Sequence, residues 1–277
     1  MTLAAAPHRL EERYFEQMAS SLGDKARLLP FIVGERVLDV GAGGGGLAEA
    51  IAARGHRVTV LDNTADSLQR LRRAGISLEV LEGYADQIGH LGAGTFDTIV
   101  LSSVMHEVYS YGASTGELGY AAVSRTLAEL RQALRPGGRL IIRDGVLPPD
   151  WLAAATVRVP DDELVAEYLE LSPHPELRLD RNGSRLWSGT KHAVGEMLLT
   201  VTWGAECLPR EALERFQLYT ADGYVTELAP AFDLVHVSAV TQPGYREQLA
   251  GYDARDALNM PWFPATNGLW VFQLRLG

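Results

Sequence analysis

The sequence predicts a doubly wound α/β protein with a mostly parallel seven-stranded sheet, helices on both faces and an insertion after strand five. Three observations predict it. Short, nearly continuous apolar runs alternate with helix-spaced segments through the first half of the chain, as expected for a parallel sheet covered on both faces. A run of glycines follows the first of these strands directly and opens a helix. The alternation is lost from about residue 146 to about 218 and then returns, which marks inserted material.

Taken in order, residues 11–32 have helical spacing (Tyr14, Met18, Leu22, then Leu28, Leu29 and Ile32), with a break expected at Gly23-Asp24. A strand at 36–40 leads into the glycine turn and a helix through Leu47 and Ile51 that ends at Gly55. A second strand covers 58–61 and finishes at Asp62, and a helix with Leu68 and Leu71 follows. Strand three is expected at 78–81 and strand four at 98–102. A helix through Val123, Leu127, Leu130 and Leu134 stops at Pro136-Gly137-Gly138, and strand five covers 139–143. Helical segments are expected near 161–171 and 209–216 inside the insertion. After it, Thr220 caps a helix through Tyr224, Val225 and Leu228, and the segments 232–240 and 269–274 alternate like two last strands. The domain reading is an N-terminal helical cap over 1–35, a Rossmann-like core over 36–146 and 219–277, and a substrate-side lid over 147–218.

Composition narrows the function. With 277 residues, 47% hydrophobic and 22% charged, the chain has the profile of a folded domain with room for one insertion. It has no apolar run of the roughly 18 residues a membrane helix needs. No basic start followed by a long apolar stretch is present, so no signal peptide and a cytoplasmic protein are expected. Cys207 is the single cysteine, which excludes an internal disulfide and fits a reducing compartment. A net charge of −10 opposes binding to phosphate backbones, and the one tight basic cluster, Arg70, Arg72 and Arg73, reads as a solvated helix face.

The segment Val37-Leu38-Asp39-Val40-Gly41-Ala42-Gly43-Gly44-Gly45-Gly46 is the most informative stretch. Its glycines permit a tight turn and close approach of a ligand to the backbone. Gly41, Gly43 and Gly46 also satisfy the dinucleotide fingerprint, so the turn alone is compatible with either a nicotinamide dinucleotide or S-adenosylmethionine. Asp62 at the end of strand two suits a ribose in both cases.

Asp39, Gly41, Gly43 and Gly45 match the first motif of class I S-adenosylmethionine-dependent methyltransferases position by position. Phe96-Asp97-Thr98-Ile99-Val100 and Leu134-Arg135-Pro136-Gly137-Gly138-Arg139-Leu140 resemble the same family's fourth- and fifth-strand signatures. The resemblance covers about residues 24–145 and implies S-adenosylmethionine as cofactor. The cofactor contacts it implies are Asp39, Gly41, Gly43, Gly45, Asp62, Asn63, Ala85, Asp86 and Ser102, with Tyr14 on an N-terminal helix folding over them. One departure stands out. Where the family often has Gly-Asp-Ala after strand three, the chain reads Gly83-Tyr84-Ala85-Asp86, so the adenine contact falls to Asp86 or to stacking on Tyr84.

Beyond strand four the chain reads Ser102-Ser103-Val104-Met105-His106-Glu107-Val108-Tyr109-Ser110-Tyr111, at the sheet edge where ligands bind in open α/β folds. His106 has the chemistry of a general base near neutrality, and Glu107 that of a carboxylate orienting an amine. Tyr109 and Tyr111 are read as pocket walls. Arg143, at the end of strand five, either pairs with Asp144 or grips a substrate carboxylate. No metal site is expected, because His174, His192 and His236 lack partners at ligand spacing. The expected activity is methyl transfer to an O or N nucleophile of a small molecule. The alternatives are cyclisation of S-adenosylmethionine with release of methylthioadenosine, a non-catalytic binding protein, and RNA-directed methylation.

Overall fold

The computed structural model describes residues 22–73 and 78–276, and its strands follow the apolar runs of the sequence. The first five are β1 (Arg36–Val40), β2 (Arg57–Asp62), β3 (Glu79–Glu82), β4 (Phe96–Ser102) and β5 (Leu134–Asp144). Five short ones follow: β6 (Val146–Leu147), β7 (Ala154–Arg158), β8 (Asp180–Arg181), β9 (Leu186–Thr190) and β10 (Tyr219–Thr220). β11 (Phe232–Val240), β12 (Asp253–Asp256) and β13 (Asn267–Leu274) complete the set.

Seven strands form one sheet in the order β11-β13-β5-β4-β1-β2-β3. The pairs β1–β2, β1–β4, β2–β3 and β4–β5 are all parallel. The doubly wound α/β sheet expected from the sequence is therefore present. From β1 the chain steps outward to β2 and β3, then returns to β4 on the other side of β1. That reversal opens a crevice at the carboxyl ends of β1 and β4, the usual ligand position in such sheets.

The chain divides into two compact units. The first holds residues 1–144, 224–238 and 269–277, and the second holds 145–223 and 239–268. The expected boundaries differ: residues 145–146 and 219–223, which were expected in the core, fall in the second unit. Residues 239–268, which the sequence reading left with the core, group with the inserted 145–223 segment. The stretch between β11 and β13 carries no periodic pattern of its own, so this second excursion has no sequence signal.

In the first unit, Leu28, Val37, Ile51, Val60, Val100, Ile141 and Val271 belong to one buried cluster, joining β1, β2, β4, β5 and β13 to the helix Gly46–Ala52. The break expected at Gly23-Asp24 is absent. Both residues lie inside the helix Leu22–Lys25, which passes straight into a 3-10 turn at Ala26–Phe31. Asp24 points inward, and its carboxylate accepts hydrogen bonds from Arg143 instead of ending the helix. The tail of the expected fourth helix is also extended: residues 134–138 are the start of β5.

The second unit has its own four-stranded sheet in the order β12-β7-β9-β8, antiparallel throughout. The helix Lys191–Val201 is buried along its whole length. Its polar residues His192, Glu196 and Thr200 recur every four positions but are buried like the rest, so the helix has no solvent face. At its centre the Glu196 carboxylate accepts the amides of Phe216 (2.9 Å) and Gln217 (2.6 Å), pinning the strand-like run 216–217 to the helix.

Asp97 ties the start of the main sheet together. Its carboxylate accepts the amides of Glu35 (2.9 Å) and Arg36 (2.8 Å) and the Arg135 guanidinium (2.7 Å). Burial pushes this carboxyl up, but the amides of Arg36 and Glu35 and the charge of Arg135 outweigh it and hold it below its ordinary value. Asp97→Ala is expected to lower the unfolding free energy by about 1–3 kcal/mol at pH 7. Because the folded carboxyl is the stronger acid, that loss should fade as the pH drops below about 4. Urea titrations of both proteins at pH 7 and pH 3 measure it.

Candidate functional site

Three glycines shape the bend between β1 and the helix Gly46–Ala52. Gly41 (φ 66°), Gly43 (φ 53°) and Gly45 (φ 85°) all sit in the left-handed region, where a Cβ is disfavoured. A Cβ on Gly41 would also lie 2.5 Å from Val104, so the space beside the bend is already closed on that side. The bend is fixed by Gly41 N–H donating to Leu61 O (2.7 Å) and by Gly43 N–H donating to an Asp62 carboxylate oxygen (2.9 Å).

Asp39 and Asp62 stand at the ends of neighbouring strands on either side of that bend. The second oxygen of Asp62 accepts the amide of Thr64 (2.9 Å), so both oxygens are engaged while lone pairs remain for a hydroxyl. Burial raises the Asp62 carboxyl, and the amides of Thr64, Gly43 and Asn63 pull it back only in part. Asp39 is less supported. Burial pushes its carboxyl up to about 7, with Lys25 opposing the shift and Asp62 adding to it. Its Oδ2 is buried and has no hydrogen-bond partner among the described residues, and the same holds for Ser102 Oγ at the end of β4. Unmatched buried acceptors of this kind call for a ligand donor.

The remaining expected cofactor residues are placed as follows. Asn63 is exposed beside Asp62. Tyr84 is exposed, and its amide donates to the Gln87 side chain (3.0 Å), starting the 3-10 turn Ala85–Leu91. Asp86 is buried within that turn. Its oxygens accept the Ser114 amide (2.9 Å), the Ser114 hydroxyl (2.6 Å) and Arg125 Nε (3.3 Å), so it already braces the 113–115 loop. Burial raises its carboxyl and these Ser114 and Arg125 bonds overcome that, leaving it below its ordinary value. Of the two residues expected near an adenine, the exposed Tyr84 ring is therefore the more available. Tyr14 lies outside the described residues.

On the acceptor side, the helix Met105–Tyr111 follows β4, and Asp144 at the end of β5 holds it. One Asp144 oxygen accepts the amides of Met105 (2.7 Å) and His106 (3.2 Å), and the other lies 2.6 Å from His106 Nδ1. A carboxylate can only accept, so Nδ1 carries the proton and the lone pair of the neutral ring sits on Nε2. His106 and Asp144 are both buried, whereas Glu107 is half-buried on the next position. Tyr109 packs edge-on against Tyr120 (5.0 Å between ring centres), and Tyr111 ends the helix before Gly112.

Arg143 corrects an expectation. It does not pair with Asp144. Its Nε (2.8 Å) and Nη2 (2.5 Å) donate to Asp24, and Nη1 donates to Ser103 Oγ (2.8 Å). Each of its three nitrogens thus donates a hydrogen bond inside the first unit. Ser103 itself has φ 62°, unusual for a serine, and its amide donates to Arg143 O (2.7 Å). Sequence reasoning missed Asp24, Lys25 and the Asp144–His106 pair. Asp144 was visible as a polar strand end, but nothing in the sequence links residue 24 to residue 143.

Comparison with known proteins identifies a domain within the chain. Residues 38–142 match the family profile of a methyltransferase domain. The chain is similar to a ribosomal RNA small subunit methyltransferase C of Chromohalobacter salexigens, with 32% identity covering 50% of this chain and 39% of that protein. It is also similar to a ubiquinone biosynthesis O-methyltransferase of Xanthomonas oryzae pv. oryzae, with 31% identity over 52% of this chain and 55% of that protein. The chain spans about half the length of the curated relatives it matches. A crystal structure of an S-adenosylmethionine-dependent methyltransferase from Mesorhizobium loti has the same fold. Its TM-score is 0.55 over 93% of this chain and 99% of that one, at 20% identity. Residues 38–142 are thus a methyltransferase domain, in the fold that S-adenosylmethionine-dependent methyltransferases share, and the co-substrate this implies is S-adenosylmethionine. The site fits that molecule on its own terms, because the orphaned Asp39 Oδ2 and the Cβ-free bend leave an acceptor and a cradle for its amino-acid end.

The raised Asp39 carboxyl has a measurable consequence. An unfolded Asp ionises near pH ~4, whereas folded Asp39 ionises near about 7. The ligand-free fold is therefore progressively penalised as the pH climbs between these values, and the full penalty stands above 7. Asp39→Asn is expected to stabilise the ligand-free protein at pH 8 by on the order of a few kcal/mol, with no gain below pH ~4. Denaturation curves across that range test the sign, and a gain that grows toward acid pH contradicts it.

Proposed function

We propose that this protein transfers the methyl group of S-adenosylmethionine to an oxygen or nitrogen nucleophile of a small molecule, with His106 as the general base. The observation that carries this reading is the buried His106–Asp144 pair at the carboxyl edge of the sheet, one strand away from the glycine bend. Asp39, Gly41, Gly43 and Gly45 hold the amino-acid end of the cofactor, Asp62 takes the ribose hydroxyls, and Asn63, Ala85, Ser102 and the Tyr84 ring border the adenosine. Asp86 supports that border through Ser114. When bound, the cofactor supplies an electrophilic methyl on sulfur, and the chain's work is alignment and proton handling.

Asp144 fixes the ring of His106 with Nδ1–H donated to it, so Nε2 is the atom that accepts the acceptor's proton as the new O–C or N–C bond forms. The methyl–sulfur electron pair stays on sulfur, giving S-adenosylhomocysteine. Asp144 also stabilises the imidazolium that results. Glu107 orients an amine acceptor, and Tyr109 and Tyr111 wall the pocket.

Similarity to a ribosomal RNA methyltransferase supports RNA as a second acceptor class. The net charge of −10 weighs against it, since each phosphate contact needs a cation. Among the described residues no helix is long and apolar enough to cross a membrane, and the single cysteine suits a cytoplasmic location.

Incubation with S-adenosylmethionine and a panel of phenols, carboxylic acids and amines, with S-adenosylhomocysteine as readout, is expected to identify a turnover substrate. With it, His106→Ala should lower kcat by about 10²–10⁴-fold while calorimetric affinity for S-adenosylhomocysteine changes less than about threefold. Asp144→Asn should also lower kcat. Full activity in the His106 variant sinks the assignment of the base. Methylthioadenosine as the product would replace methyl transfer by cyclisation.

A further inference from the structure

We propose that Lys25 is the counter-ion of the cofactor's α-carboxylate and acts jointly with Asp39, which takes the α-ammonium, so that the two residues read an amino-acid zwitterion. This rests on the S-adenosylmethionine reading above and assigns a residue that neither the motif nor the family match identifies.

Two opposite charges sit in each other's field at this site without pairing. Asp39 Oδ2 is buried and has no hydrogen-bond partner among the described residues. Lys25 is half-buried and makes no ion pair among the described residues. Both are strained toward neutrality by burial. Burial lowers the Lys25 ammonium to about 8, the nearby Arg143 charge adds to that, and Asp39, Asp24 and Glu107 resist it. Asp39 is raised to about 7 by the same desolvation. A lysine and an aspartate this costly to bury would close into a direct ion pair if the fold let them. Among the described residues no such pair forms.

Three contacts set that separation. Asp24, next to Lys25, is locked onto Arg143 by two hydrogen bonds at the end of β5. Leu22 lies against Gly46, the first residue of the helix after the glycine bend, where a Cβ would stand 3.7 Å from the leucine side chain. Leu28 and Leu29 anchor the following turn in the core. Lys25 is thus carried on a segment packed against the start of the helix after the bend, and the charges of Asp39, Asp24 and Glu107 act on it. A ligand with an ammonium and a carboxylate on one carbon gives each residue an opposite charge at hydrogen-bond range. A ligand lacking the amino-acid end satisfies neither. By this account Asp24 and Arg143 are positioning residues and Lys25 is a binding residue.

Calorimetry with two probes tests the proposal. S-adenosylhomocysteine carries the zwitterion, and methylthioadenosine shares the nucleoside and sulfur but lacks it. Lys25→Met is expected to weaken S-adenosylhomocysteine at least tenfold and leave methylthioadenosine within about twofold, with Lys25→Arg recovering most of the loss. Asp24→Asn should show the same selective loss, smaller in size. Equal weakening of both probes by Lys25→Met, or of neither, overturns the role of Lys25 while the cofactor reading stands. A wild-type protein that binds neither probe overturns the cofactor reading and the proposal together.

Discussion

Two adjacent side chains at the end of β5 organise the carboxyl edge of the sheet. Strand geometry sends consecutive residues to opposite faces, and here each face receives a different anchor. Arg143 turns to Asp24 and Ser103, securing the N-terminal helix and the end of β4. Asp144 turns to Met105 and His106, securing the start of the next helix and the ring orientation of the histidine. Both groups are buried, so each charge is tolerable only because its partners surround it. Remove either, and one wall of the crevice loses its reference point.

The opposite wall depends on carboxylates that the fold does not fully satisfy. Asp62 spends its oxygens on the glycine bend and on Thr64, and this makes the bend a stiff structure. Asp39 Oδ2 has no such partner among the described residues, and burial raises its carboxyl to about 7. The division is a physical one: one acid shapes the bend, and its neighbour leaves a buried oxygen unmatched.

The parallel sheet and the glycine bend were legible because both rest on local rules. Apolar runs such as Val37 to Val40 can only be interior strands, and Gly41, Gly43 and Gly45 stand where positive φ is required. Asp39 and Asp62 stood out as polar residues at strand ends, and His106 as one just beyond strand four. What escaped was long-range or patternless. The Asp24–Arg143 pair spans most of the core in sequence, so Gly23-Asp24 read as a break and Arg143 as a partner of Asp144 or of a substrate. Asp86 read as a ligand-facing acid, because its engagement with Ser114 and Arg125 depends on a loop packing against a turn. The helix Lys191–Val201 escaped because its polar residues are buried with its apolar ones, and the excursion over 239–268 because it has no periodic pattern.

The position of β13 has a consequence for how this sheet assembles. It lies between β5 and β11, not at a margin, although residue 267 follows residue 144 only after the whole second unit has been threaded. Until it arrives, the flank of β5 has no neighbour to bond, and β11 has nothing to join. Closure of the sheet therefore waits on one of the most non-local pairings in the chain, with a large loop entropy to overcome. Such a topology folds slowly and leaves an apolar strand edge open in the interval, which is where a chaperone, or a second unfinished chain, would find it.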